Sequence, residues 1–155
     1  MACKQLNVND LKCLFFISVK DADYSYAFFS IGKNGVILKV VAFEHIEEKR
    51  YNLGFGDYDF STQTVNDKIV SDNGDSEKVL ATVLGILNEF LLKYPDYEVF
   101  IVGSSESRTR LYQIAINVYY EEFMAHYQIF GERNGVIESF EKNKKYESFL
   151  IRKLF

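Results

Sequence analysis

The stretch Val99-Phe100-Ile101-Val102-Gly103-Ser104-Ser105-Glu106-Ser107-Arg108-Thr109-Arg110-Leu111-Tyr112 reads as a buried strand, a sharp turn of small residues and the opening turns of a helix. A short apolar run rich in β-branched residues suits a strand covered by its neighbours. The serines that follow are residue types that cap helices. Upstream, Ser76 to Lys93 forms a second helical pattern, with Val79, Val83, Ile86, Leu87 and Phe90 at helical spacing and Leu80, Leu84 and Leu91 widening the stripe. Asp75 or Ser76 can cap it, and Pro95 stands just beyond its end. Gly85 in its middle costs about 1 kcal/mol relative to Ala, which marks a place of close packing. Downstream, the helix opened by Ser107 runs to about Phe123, with Leu111, Ile114, Ala115, Val118 and Tyr119 expected to face inward. A lone strand, Glu98 to Val102, is therefore held between two helices.

Working outward, the first half reads as a β meander. Leu14 to Val19 is a short apolar run, and Tyr24 to Ile31 and Val36 to Phe43 flank Asn34-Gly35, a strong hairpin signal because both turn positions want positive φ. Both faces of Val36 to Phe43 are apolar, which predicts a central strand covered on two sides. Arg50 to Tyr58 gives a further strand, whose Gly54 and Gly56 predict a bulge or a closely approaching backbone. Asp57 to Asp75 reads as a polar loop. At the other end, Tyr127 to Gly131 and Val136 to Phe140 flank a second hairpin signal, Asn134-Gly135, while Tyr146 to Leu154 fits a closing strand or a short helix equally well. Strands, helix, strand, helix, strands is the order of an α+β fold: one domain over residues 1–155, a mostly antiparallel sheet and two main helices. Residues 1–12 read as a mobile or loosely attached segment.

Composition supports this and narrows function. Fourteen Phe and 11 Tyr without Trp favour sheet positions and a thick core. A net charge of −4 argues against a nucleic-acid partner, since phosphate affinity needs clustered positive charge. Lys142, Lys144, Lys145, Arg152 and Lys153 make the C-terminus locally basic, read as a solvated face. Cys3 and Cys13, with His45 and His126 far apart, give neither a disulfide framework nor zinc spacing; no metal is expected, and the thiols point to a reducing compartment. No signal core or membrane-length apolar run occurs, so a cytoplasmic protein without membrane contact is expected.

The leading site candidate is the turn itself, with Ser104, Ser105, Arg108 and Arg110 as ligand-binding residues. Helix N-termini leave backbone N–H groups unpaired and attract anions. They also repel cations, so two arginines there call for an acidic partner: Glu106, a phosphate or carboxylate ligand, or another protein. Ser71 to Lys78 faintly resembles a calcium loop, but the twelfth position from Asp72 is Val83 rather than Glu. Asp57 and Asp59, with Asp67 further on, read as turn carboxylates, and His45 as an exposed loop residue. His126 stands just before a strand, and no Ser–His–Asp ordering emerges.

With those pieces in view, the chain from about Tyr24 to Arg152 resembles an uncharacterised family of small bacterial proteins, a domain of unknown function. The resemblance rests on Tyr51-Asn52-Leu53-Gly54-Phe55-Gly56-Asp57-Tyr58, Ser71-Asp72-Asn73-Gly74-Asp75, Lys78-Val79-Leu80-Ala81-Thr82-Val83, Gly103-Ser104-Ser105, Arg108-Thr109-Arg110-Leu111-Tyr112 and Tyr146-Glu147-Ser148-Phe149. It brings no activity with it. Ser76–Lys93, Glu98–Val102, the helix with Leu111-Tyr112 and Tyr127–Gly131 are also similar, in order and length, to the second half of GCN5-type N-acetyltransferases. That likeness implies an acetyltransferase-like architecture, acetyl-CoA as cofactor and Tyr112 as catalytic general acid. The pyrophosphate loop of that family is glycine-rich, whereas Asn73-Gly74-Asp75 supplies one glycine and adjoining carboxylates.

These residues point first to a non-enzymatic interaction or regulatory protein that needs no cofactor and meets a protein partner or a homo-oligomeric copy. The alternative is an acetyl-CoA-dependent acyltransferase-like enzyme or a degenerate relative, and the third reading is a toxin–antitoxin component. An exposed apolar patch of more than a few hundred Å² is the structural sign of the first.

Overall fold

The architecture follows from a computed structural model that describes residues 13–20, 22, 24–66 and 73–154. Among the described residues twelve elements succeed one another: β1 (Phe16–Ser18), β2 (Ser25–Gly32), β3 (Gly35–Glu47), β4 (Arg50–Asp59), β5 (Thr64–Asn66), α1 (Ser76–Lys93), β6 (Glu98–Ile101), α2 (Glu106–Val118), α3 (Tyr120–Met124), β7 (Tyr127–Arg133), β8 (Val136–Ser139) and β9 (Ser148–Lys153). The fold is α+β, with nine strands in one mostly antiparallel sheet and two main helices. Strand order is β1-β2-β3-β4-β6-β9-β7-β8, and β5 pairs with the far end of β4. Among the described strands β4 and β6 form the one parallel pair, from Arg50–Glu98 to Asn52–Phe100. A parallel neighbour requires a crossover, and α1 supplies it.

The closing segment 146–154, open between strand and helix in sequence, becomes β9 and inserts between β6 and β7. Its run Phe149-Leu150-Ile151 is buried, as a strand enclosed by two neighbours requires. The loop expected over 57–75 contains the short strand β5, and Gly56 is where it comes close: a Cβ there would lie 2.5 Å from Asn66 O. Gly85 serves the close packing expected of it, since a Cβ would lie 2.5 Å from Cys13 Sγ.

The two Asn-Gly hairpins differ. In β7–β8, Asn134 (φ 52°) and Gly135 (φ 78°) are the two central turn residues, as expected. In β2–β3 the turn shifts by one residue. Gly32 pairs with Gly35, Lys33 and Asn34 occupy the centre, and only Gly35 has positive φ. The reason is tertiary: Asn73 accepts from Asn34 N at its Oδ1 (2.7 Å) and from Lys33 N at its carbonyl (3.2 Å).

The second helical pattern is split at Tyr119 into α2 and α3, and its inward stripe is rotated from the one expected. Thr109, Tyr112, Ala115, Ile116 and Tyr119 are buried, while Ile114 and Val118 are exposed. Apolar residues on both faces made the two stripes equivalent in sequence, and packing chose the one led by Tyr112.

One face of the sheet carries the helices. Tyr26, Val41 and Phe55 lie in register there, as do Tyr51, Val99, Ile151 and Ile129, and all join α1 and α2 in a single core cluster. Its densest part surrounds Phe90 of α1, stacked on Phe43 at 3.9 Å and edged by Tyr24 and Tyr51. The opposite face has no helix over it among the described residues. The expectation that β3 is covered on both sides is therefore corrected: Val36 is 65% exposed, and Leu38, Val40 and Ala42 are half-buried.

Candidate functional site: the turn before α2 and the open sheet face

β6 ends at Ile101 and the chain turns through Gly103, where a Cβ would lie 2.4 Å from Thr109 N. The turn is closed by its own groups. Gly103 N donates to Thr109 Oγ1 (2.9 Å), whose hydroxyl donates to Ser105 O (3.2 Å). Of the serines able to cap α2, Ser105 does so, accepting from Arg108 N at 3.2 Å. One of the helix's orphan N–H groups, that of Arg108, is thus satisfied by the cap, and Thr109 N makes the first regular helical bond, to Ser105 O.

The paired arginines part company. The Arg108 guanidinium lies 5.3 Å from the centre of the Phe55 ring, on the helix-bearing face of β4. Arg110 instead lines a groove of about 830 Å³ between the first three turns of α2 and residues 143–147. Ser105, Gln113 and Asn117 line it too, and Lys144 and Lys145 face them. Ser104 and Arg108 are not among its walls, so the four predicted ligand residues do not converge. Tyr112 is buried in the core rather than in this groove.

Glu106 is the partner of neither arginine. Its carboxylate takes Lys145 Nζ at 2.7 Å, and that hydrogen bond and charge hold it below the usual carboxylate range. Gln113 fastens the far wall, donating from Nε2 to Lys144 O and accepting from Tyr146 N at 3.1 Å. The locally basic C-terminus is largely neutralised in the same way: Lys144 pairs with Glu138 and Glu141, and Arg152 with Glu98. Lys142 lies over the Tyr120 ring.

Elsewhere the candidate carboxylates separate. Asp57 forms an ion pair with Lys39, which is 4% exposed on the helix-bearing face, a pairing for which the sequence held no signal beyond two charges in facing strands. Asp59 instead accepts from Ser61 N (2.8 Å) and the Ser61 hydroxyl (2.6 Å) and is held below its usual range by them. Asp67, Ser71 and Asp72 lie outside the described residues, as do Cys3 and the rest of 1–12. Asp75 stands at the start of α1 without capping it, because both its oxygens accept from the Ser30 hydroxyl at 2.9 and 2.7 Å. His45 is in β3 rather than in a loop, with Nε2 2.8 Å from Glu48 O. Cys13 is no activated nucleophile: burial pushes its thiol up to about 11, and it donates to Ala81 O.

The open face is the larger feature. Phe15 is 86% exposed, Ile31 69% and Phe29 54%, and Val36 continues the same surface across the β2–β3 pair. These side chains alternate with the buried ones, so period-2 patterning places them together. With Ile17 they expose on the order of 600 Å² of apolar surface, taking about 150–250 Å² for a whole aromatic side chain.

Residues 14–154 match the model of DUF6934, described as a family of unknown function. The chain belongs to that family. The DUF6934 span takes in every strand and helix described, the groove beside α2 and the open face alike. No curated protein and no solved structure matches the chain, and the acetyltransferase likeness gains no support from these comparisons.

Proposed function

We propose that the chain is a non-enzymatic interaction or regulatory protein of the bacterial cytoplasm whose contact surface is the open face of β1–β3. The observation that carries this reading is the exposed row of Phe15, Phe29, Ile31 and Val36. An apolar patch of this size stands at the upper end of what monomeric proteins expose, and such patches often mark binding surfaces. The Arg108 turn belongs to the other side of the sheet and is no part of this surface. Binding through this face, to a second copy or another protein or, in chain kept monomeric by dilution, to an anilinonaphthalene sulfonate dye, lost in Phe29→Glu with an unchanged far-ultraviolet circular dichroism spectrum, is the expected result. Equal binding by both proteins overturns it.

One observation favours acyl transfer as a second reading. β4 and β6 run parallel for three residue pairs and then separate as β5 takes over the edge of β4. The wedge beyond carries Phe55 and Arg108. Against it stands the Asp75 carboxylate at the start of α1, where a pyrophosphate would be repelled. Acetyl-CoA at a hundredfold over its Kd adds about 2.7 kcal/mol to the stability of a protein that binds it. A raised melting temperature supports this reading, and no shift removes it.

A further inference from the structure

We propose that a second copy of this chain occupies the open face, in a two-fold symmetric packing of sheet on sheet. The inference rests on the docking role proposed for that face and names its occupant. Three observations lead to it.

The first is composition. Interfaces that form and dissolve are about as polar as ordinary surface, whereas homodimer interfaces are markedly more apolar. From Ile17 through Ala27 and Phe29 to Leu38 and Val40, the face carries no charged side chain, and the nearest on β3 is the exposed Glu44 at its rim. The second is size. About 600 Å² from the most exposed side chains, with the half-buried Leu38, Val40 and Ala42 added, approaches the ~800 Å² that each partner of a stable complex buries.

The third is shape. Three consecutive outward rows on β2 and β3 are Phe29–Leu38, Ala27–Val40 and Ser25–Ala42, so bulk falls steadily along the strands. A two-fold axis lying across the strands over the Ala27–Val40 row reverses that gradient in the second copy. Phe29 then rests over the partner's Ser25, and Leu38 over the partner's Ala42. Large side chains meet small ones twice, by symmetry, and sheets can close to the usual ~10 Å spacing. The same axis sets Ala27 opposite the partner's Ala27 and carries Val36, the outermost residue, to the rim over the partner's Glu44.

Sedimentation equilibrium on the full chain is the deciding measurement. The expected mass is twice 18.0 kDa, and Phe29→Glu weakens association by about 100-fold or more, as loss of a central aromatic anchor does. Ala27→Cys, treated with a short bismaleimide, links two copies above the background given by the parent's own cysteines. A single-chain mass up to millimolar concentration overturns the proposal. If such a monomer still binds the sulfonate dye and loses it in Phe29→Glu, the face is an open docking surface for another protein. If it binds no dye, the docking reading falls as well. A dimer untouched by Phe29→Glu, or one in which Ala27→Cys does not link, overturns this two-fold arrangement.

Discussion

The two faces of one strand make the most instructive comparison in this molecule. Along β2, Tyr26, Phe28 and Ser30 turn toward the helices and are buried, while Ala27, Phe29 and Ile31 turn away and Phe29 and Ile31 are largely exposed. Ordinary half-buried strands separate apolar from polar residues on this period. Here both sets are mainly apolar, with Ser30 the polar member of the buried one. The difference in burial comes from neighbours rather than from residue type: the three helices described pack on one side, and none of them covers the other. Charge is distributed against intuition too. The buried face holds the Lys39–Asp57 pair, and the exposed half of the sheet over β1–β3 holds almost none.

Substitutions on each face can break this contrast. The largest effect is expected at Phe90, the centre of the aromatic cluster: Phe90→Ala should cost about 3–5 kcal/mol in urea unfolding. A loss below about 1 kcal/mol would mean that the cluster is loosely packed and the two faces are energetically alike. Next comes Lys39→Met, expected to cost about 3 kcal/mol because it strands the largely buried Asp57 carboxylate. Lys39→Met combined with Asp57→Leu should recover most of that loss, since removing both charges removes the unmet desolvation. Absence of recovery would assign Lys39 a role other than neutralising Asp57.

Smaller effects sharpen the comparison. Ser105→Ala removes the α2 cap and should cost about 1 kcal/mol. On the open face, Ile31→Ser should change the stability of the dilute chain by no more than about 0.5 kcal/mol. Alkaline pH reads the phenols packed under the helices, Tyr26 among them. Burial pushes the Tyr26 phenol up from 10.0 to about 12. The folded chain therefore keeps that proton after the unfolded chain has lost it. The stabilisation is complete below pH 10, declines as pH rises from 10 to 12 and is spent beyond. Tyr26→Phe should make this part of a stability-versus-pH curve less steep, and an equally steep decline in the variant would assign it to the other raised groups, Cys13 and Tyr51 among them.

Much of the fold was legible because its signals are local. α1 spans the residues its 3.6-residue periodicity predicts, and Asn134-Gly135 forms the turn its conformational freedom predicts. The failures have one cause. The β2–β3 turn is shifted by Asn73, α2 is rotated so that Tyr112 packs inward, and the Asp75 carboxylate accepts from Ser30 and does not cap α1. Each depends on a residue distant in sequence. The candidate site fared similarly. Ser105 was readable as a cap, but Glu106 was taken by Lys145, 39 residues away, and the two arginines were divided between Phe55 and the groove.

By itself, the sequence determined the α+β class, the order of the main elements, the bounds of α1 and the turn that opens α2. Periodicity, capping chemistry and glycine act over a few residues and need no partner to be read. Only the tertiary structure decided which of two apolar faces is buried, where the closing strand inserts and that Arg108 and Arg110 diverge. Those outcomes depend on partners distant in the chain, and strands with apolar residues on both faces carry little information about sides.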